Sequence, residues 1–425
     1  METSAPPSAT APNAAGPAGT SAPAKIPTPQ IIATMVGVSK QVSDLILSPG
    51  SAPKVELNGQ LINVQIPGVC PLKPDDTARI AGDLIGQNKL AVQKLREQGS
   101  CDISYSIPQL ARFRVNIFMQ RGSCAIVMRV IPNTLPSFDS LRLPMQLAEC
   151  VDLRNGIVLV TGPTGSGKSS TLAAILDRIN EQKAYHIITI EDPIEFSYLH
   201  KKSLIHQREL HSDTPSFALA LRAALRQAPK VILVGEMRDR ETIEIALEAA
   251  ETGHLVFSTL HTIDASKTIE RILGAFPLSE QQPVRNRLSK SFRYIISQRL
   301  VPRRGGQGRV GVFEILKSTM RTREYVERGE GEGKTLVDAM RDGALEGMQH
   351  FDSELEKYLR EGALDLETAL AFATNPGNFR LQISDLMEPP TRDRAESKRP
   401  EPAHANVGAH ADAGSIANSE MEILR

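Results

Sequence analysis

The chain is 425 residues long, and its 49 Lys and Arg balance 49 Asp and Glu, giving a formal net charge of zero. That length calls for two or three domains, and the charge balance excludes any global pull towards nucleic acid or an anionic surface. Four cysteines without a C-x-x-C pair support neither a zinc knot nor a disulfide framework, which predicts a reduced cytoplasmic compartment.

No apolar run approaches the roughly 18 residues of a membrane span, and the amino terminus lacks a basic segment followed by an apolar core, so neither a span nor a secretory leader is expected. Trp is absent and aromatics are few, which weakens any base-stacking platform; no nucleic-acid partner is expected.

Residues 1–27 are mostly Ala, Pro, Ser, Thr and Gly and read as a disordered tail. Residues 28–132 read as a small α/β domain. Ile31 to Val42 has helical spacing, Asp44–Leu47 a strand, and Lys54–Val64 two strands around an Asn58-Gly59 hairpin turn. Asp75 to Gln98 reads as one helical stretch. Cys101–Ser106, Arg112–Gln120 and Cys124–Ile131 alternate as strands. Residues 133–144, with little periodicity, read as a linker.

From residue 145 to 380 strands alternate with helices, the pattern of a parallel sheet covered on both faces. Its strands are expected at 157–160, 186–190, 231–235 and 254–259. After about Thr268 only Arg309–Ile315 reads as a strand, and the remainder to about Phe379 reads as helices. Residues 388–425 are rich in Pro, Ala, Glu, Arg and His without periodicity and read as a second disordered tail.

The strand at 157–160 leads into Gly162-Pro163-Thr164-Gly165-Ser166-Gly167-Lys168-Ser169, and Ser170 onward is apolar at helical spacing. This is G-x-x-x-x-G-K-[ST] in its strand–loop–helix context. The glycines let successive N–H groups converge on a phosphate, and the new helix adds its positive end. Lys168 would reach the β/γ-phosphates of ATP, Ser169 would ligate Mg²⁺, and Ser170 extends the cradle. The chain is expected to bind a nucleoside triphosphate.

Three further stretches place chemistry beside that loop. Val231–Val234 is an apolar strand followed by Gly235 and Glu236, and the carboxyl ends of parallel strands are where ligands bind. Gly235 stands where many such enzymes hold Mg²⁺ with Asp, so Glu236 is free to polarise the attacking water. His186–Ile190 runs into Glu191 and Asp192, which could serve the Mg²⁺ shell or the water, with Glu195 nearer a charged turn. Gly253 to Thr262 carries a histidine at each end. His261, at the carboxyl end, could sense the γ-phosphate, and His254 has the weaker claim.

Together these boxes resemble the secretion-ATPase superfamily, most of all the twitching-motility ATPases of type IV pili, the PilT type. The likeness covers roughly residues 29 to 380. It includes Arg112-Phe113-Arg114-Val115-Asn116, Leu221–Arg226 and Ile296-Ser297-Gln298-Arg299-Leu300. It implies an α/β fold with an N-terminal PAS-like domain, a RecA-like ATPase domain with a helical C-terminal part, and a homo-hexameric ring. It also implies Mg-dependent ATP hydrolysis driving pilus retraction, with the metal-linked acids at Glu191 and Asp192 and the catalytic glutamate at Glu236. Location at the cytoplasmic face of the inner membrane follows, with a pilus platform protein and a paralogous ATPase as partners.

The resemblance further suggests that N-terminal arginines complete the γ-phosphate, with Arg112, Arg114 and Arg129 as candidates. Alternation puts Arg112 and Arg114 on one strand face and Phe113 and Val115 on the other.

The chain departs from the pattern at three places. Pro229-Lys230 replaces Pro-Asp, a charge reversal expected to lie close to the site. Ser43–Leu47 lacks the family's histidine, and Met320–Glu327 only loosely echoes the retraction signature. Gly347–Asp352 resembles the accessory PilU-type branch. Two other readings stay open: a nucleotide-operated accessory switch, kept alive by Lys230, and a secretion- or conjugation-type ring ATPase. The absence of a four-cysteine zinc insert weighs against an extension or secretion motor.

Overall fold

A computed structural model describes residues 26–69, 71–131, 134–306 and 308–387. The expected tails lie outside these residues, apart from Ile26 and Pro27. The described residues up to Phe379 belong to one compact unit.

The first sheet is antiparallel, and the alternation of its strand β5 (Ala111–Gln120) sets which face is buried. Strands β1 (Val42–Leu47), β2 (Lys54–Leu57), β3 (Gln60–Asn63), β4 (Ser100–Ile107), β5 (Ala111–Gln120) and β6 (Ser123–Ile131) pair antiparallel in the order β3-β2-β1-β6-β5-β4. Asn58 and Gly59, at φ 54° and 81°, make the two-residue turn between β2 and β3. On β5, Phe113, Val115 and Ile117 are fully buried, while Arg112, Arg114 and Asn116 lie on the other face. Helices α1 (Thr28–Val36), α2 (Pro74–Ile85) and α3 (Lys89–Gln98) cover the apolar face through Ile31, Ile32 and Met35, through Ile80 and Leu84, and through Ala91 respectively.

Local chemistry moved two boundaries here. The stretch read as one helix over Asp75–Gln98 is two, because Gly86 adopts φ 54° and the Asn88 side chain caps α3 by accepting from Ala91 N. The first helix ends at Val36, and Val42 already belongs to β1. The stretch read as a linker holds a short helix, α4 (Phe138–Leu141), which buries Phe138.

The second sheet has seven strands: β7 (Gly156–Thr161), β8 (His186–Glu191), β9 (Leu204–Glu209), β10 (Val231–Val234), β11 (Leu255–Leu260), β12 (Phe292–Pro302) and β13 (Arg309–Lys317). Their order is β13-β12-β7-β11-β10-β8-β9, parallel throughout except for β12 with β13.

Helices α5 (Lys168–Gln182), α6 (Phe217–Ala224), α7 (Arg240–Glu251), α8 (Ala265–Leu273), α9 (Leu278–Ser291), α10 (Met320–Arg328), α11 (Leu336–Asp342), α12 (Phe351–Arg360), α13 (Leu366–Phe372), α14 (Pro376–Gln382) and α15 (Ser384–Met387) complete the described chain, with a 3-10 helix over Met145–Asp152. Successive β7 residues enter different cores. Ile157 and Leu159 pack with Ile243, Ala246 and Leu247, and Val158 and Val160 with Leu172, Ile175 and Ile179. Both faces are dry, as a parallel sheet between helical layers requires.

Strand β12 overturns the all-helical reading of this region. Its residues divide the same way, Phe292 and Ile295 into one core and Tyr294 and Ile296 into the other. Such a run shows no period-2 signal. Helix α9 also passes into it directly, from Ser291 to Phe292, without a glycine or asparagine to mark the change. β9 escaped for the opposite reason, being a polar edge strand, Leu-Ile-His-Gln-Arg-Glu.

Candidate active site

The glycine loop leaves β7 at Thr161 and enters α5 at Lys168, and β12 supports it from below. Gly162 sits at φ 146°, where a Cβ would collide with the Gln298 carbonyl oxygen. At Gly167, φ 91°, a Cβ would come within 2.9 Å of Gln298 Nε2. Gln298 Oε1 in turn accepts from Thr171 Oγ1 at 2.8 Å, fixing the first turn of α5.

Lys168 is 8% exposed, and its Nζ donates to Gly162 O at 2.9 Å and Pro163 O at 3.1 Å. Burial lowers its pKa, while Glu236 and Glu195 act in the opposite direction. To reach a phosphate it must exchange two backbone carbonyls for phosphate oxygens, a trade of neutral for charge-assisted bonds.

Two side chains from two strand ends meet beside it. His261 Nδ1 is 3.5 Å from Lys168 Nζ, and His261 Nε2 is 3.5 Å from Glu236 Oε2. An ammonium can only donate, so a hydrogen bond here requires the neutral imidazole with its lone pair on Nδ1 and its proton on Nε2, facing Glu236. Glu236 also accepts from Arg238 at 2.7 Å. Gly235 explains itself: its N–H continues the β10–β8 pairing to Ile190 O at 2.8 Å, and a Cβ would lie 3.2 Å from that oxygen.

Glu191, at the end of β8, accepts from Thr189 Oγ1 at 2.6 Å and Gln207 Nε2 at 3.0 Å. Burial pushes its carboxyl up to about 7, against the lowering effect of those hydrogen bonds. Asp192, the next residue, is exposed at the rim. Loop, acids and histidine line one cavity of about 830 Å³, within the range of small-molecule sites.

Of the three arginines, only Arg114 lines this cavity. Arg112 instead forms an ion pair with Glu209, a 4% exposed carboxylate that also accepts from Ile194 N at 3.2 Å. Arg129 pairs with Asp44 at 3.0 Å and keeps 70% of its side-chain exposure. His254 bonds the Ala249 carbonyl at 3.0 Å, at the C-terminal end of α7.

Lys230 is not close to the site. It precedes β10, exposed at the amino end of the sheet, and four strand residues of about 3.3 Å each separate it from Gly235. Gln298, Gln207 and Arg238 were not singled out for any role in the sequence; the first two stand on the strands that escaped it.

A divalent ion would find Ser169, Asp192 and, once deprotonated, Glu191 around this cavity. Among the described residues no group of three or more His, Cys, Asp or Glu could hold a metal alone. The donor set therefore suits Mg²⁺ arriving with a nucleotide, since this ion characteristically takes one or two carboxylates plus phosphate oxygens.

The family described as "Type II/IV secretion system protein" matches residues 84–369. The chain is 43% identical over 337 residues to the "Type IV pilus retractation ATPase PilT" of Pseudomonas aeruginosa, covering 79% of this chain and 96% of that one. It is 36% identical to the "Type IV pilus ATPase PilU" of the same organism, over 81% of this chain and 89% of that one. The crystal structure of the pilus retraction motor PilT with bound ADP superposes with a TM-score of 0.73 at 44% identity, covering 82% of this chain and 97% of that one. No helix among the described residues is long and apolar enough to cross a membrane.

Proposed function

The chain belongs to the type II/IV secretion system protein family, in its twitching-motility branch, and on that premise we propose that it is the ATP-hydrolysing motor of type IV pilus retraction. The observation that carries this reading is the meeting of Lys168, at the start of α5, with His261 and Glu236, beyond the carboxyl ends of β11 and β10, within one cavity. Support for retraction comes from the PilT relative, which spans almost its whole length in this match.

In the proposed reaction, water attacks the γ-phosphorus of ATP as the bond to the bridging oxygen of ADP breaks, giving ADP and phosphate. Glu236 takes the water's proton. His261, with its Nε2 proton turned towards Glu236, holds that carboxylate against the phosphate loop. Lys168 leaves Gly162 O and Pro163 O for the β/γ-phosphate oxygens, and Arg114, from the wet face of β5, adds positive charge from the same chain. Ser169 and Asp192 would hold Mg²⁺ arriving with the nucleotide, and the ion would supply positive charge to the phosphates there. We further infer a homo-hexameric ring working at the cytoplasmic face of the inner membrane, against a pilus platform protein and alongside a paralogous ATPase.

The accessory-switch reading loses its main support, since Lys230 lies at the far end of β10. Replacing the gene in its own host by a Lys168→Ala allele tests the role. The reading expects cells that keep surface pili but no longer twitch. Normal twitching would contradict it and favour an accessory subunit.

A further inference from the structure

Behind the phosphate loop lies a buried polar chain that the reaction above does not use. Glu314, on β13, is 3% exposed, and its Oε1 accepts from Ser297 Oγ at 3.2 Å and from Ala265 N at 2.8 Å. Ser297 Oγ in turn accepts from Thr161 Oγ1 at 3.1 Å. Thr161 immediately precedes Gly162, the first residue of the phosphate loop. Ala265 opens α8, four residues beyond His261. One carboxyl thus joins the strand that launches the loop to the segment that presents the histidine, across β12.

A buried carboxyl is costly unless its geometry is used. An apolar side chain would fill the same space between β13 and α8, but it would leave the Ala265 N–H and the Ser297 hydroxyl unpaired. Burial pushes Glu314 up to about 7; Asp264 acts in the same direction, while Arg299 and the two hydrogen bonds oppose it. The contacts it would govern are both long, at 3.5 Å from Lys168 to His261 and from His261 to Glu236. A small displacement of either segment breaks them.

We propose that Glu314 is a positioning residue for ATP hydrolysis, registering the His261 segment against the phosphate loop through Ser297 and Thr161. It touches no reacting atom. Its effect passes through His261, so the inference rests on the site reading given above.

The test is steady-state ATP hydrolysis and ADP titration with the full chain. Glu314→Ala should lower kcat about 10- to 100-fold, the scale of a displacement near 1 Å, and leave KM and ADP affinity within about twofold. Glu314→Gln, which keeps an acceptor oxygen for Ala265 N and Ser297 Oγ, should recover most of the loss. In a His261→Ala background, Glu314→Ala should cost less than about twofold more. If Glu314→Ala does not fold, Ser297→Ala cuts the same chain and should lower kcat by at least about threefold, again with KM held. Unchanged kcat in whichever of these two variants folds, or losses from Glu314→Ala and His261→Ala that multiply, would overturn the inference. His261→Ala with wild-type turnover would instead defeat the site reading on which it stands.

Discussion

The two sheets handle charge in opposite ways, and the contrast decides where chemistry can sit. In the antiparallel sheet β5 and β6 have a wet face, so they carry Arg112, Arg114 and Arg129 within the strands, with Phe113 and Val115 buried on the other face of β5. In the parallel sheet every residue of β7, β10 and β11 is buried and none is ionisable, so the charged groups of these central strands stand beyond their ends. There Lys168, Glu191, Glu236 and His261 converge because the strands run the same way and stop together. A dry sheet concentrates its functional groups by exclusion. A half-wet sheet offers many charged positions, and only geometry says which one is used.

The arginines are the place to break that comparison. The largest expected effect is on stability. Arg112→Ala leaves the Glu209 carboxylate buried with the Ile194 N–H as its donor, and should destabilise by about 3 kcal/mol, the lower end for opening a buried pair. Arg129→Ala removes a partner that is 70% exposed, so water can take its place beside the 10% exposed Asp44 carboxylate, and it should cost less, about 1–2 kcal/mol. Equilibrium denaturation of the two variants checks both numbers. Equal midpoints would mean that the Arg112–Glu209 pair does not form in solution.

The next effect is catalytic and singles out the remaining arginine. Arg114 reaches the cavity of its own chain, so Arg114→Ala should lower turnover about 10- to 150-fold, the value of a charge-assisted bond of about 1.5–3 kcal/mol. Arg129→Ala should stay within about twofold of wild type. Steady-state ATP hydrolysis separates them, and equal losses would show that the antiparallel sheet contributes to hydrolysis only by keeping its shape.

Legibility followed the same divide. The glycine loop, the Asn58-Gly59 hairpin and the alternation of β5 could all be read from residues, because each rests on a local rule. β12 could not be read, since burial on both faces erases its period and α9 runs into it without a break. With it went the parts of Ser297 and Gln298, the supports of the loop. β9 was lost to its polar edge sequence, and Gln207 and Glu209 went with it. Lys230 was placed beside the site on nearness in sequence to Glu236, but it stands at the amino end of a parallel strand and the ligand end is the other one. The arginines show the remaining limit. Alternation put Arg112 and Arg114 on one face, yet one pairs with Glu209 and the other faces the cavity, a choice made by a residue nearly a hundred positions away.

The measurement that bears most directly on the account is ATP binding and turnover by Glu236→Gln. Glu236 sits where β10 ends, held at 3.5 Å from His261, and no other carboxylate on that strand can replace it. The account predicts nucleotide affinity close to wild type and turnover lower by about two to four decades, the scale of a lost general base. Near-normal hydrolysis in that variant would contradict it and move the base to Glu191.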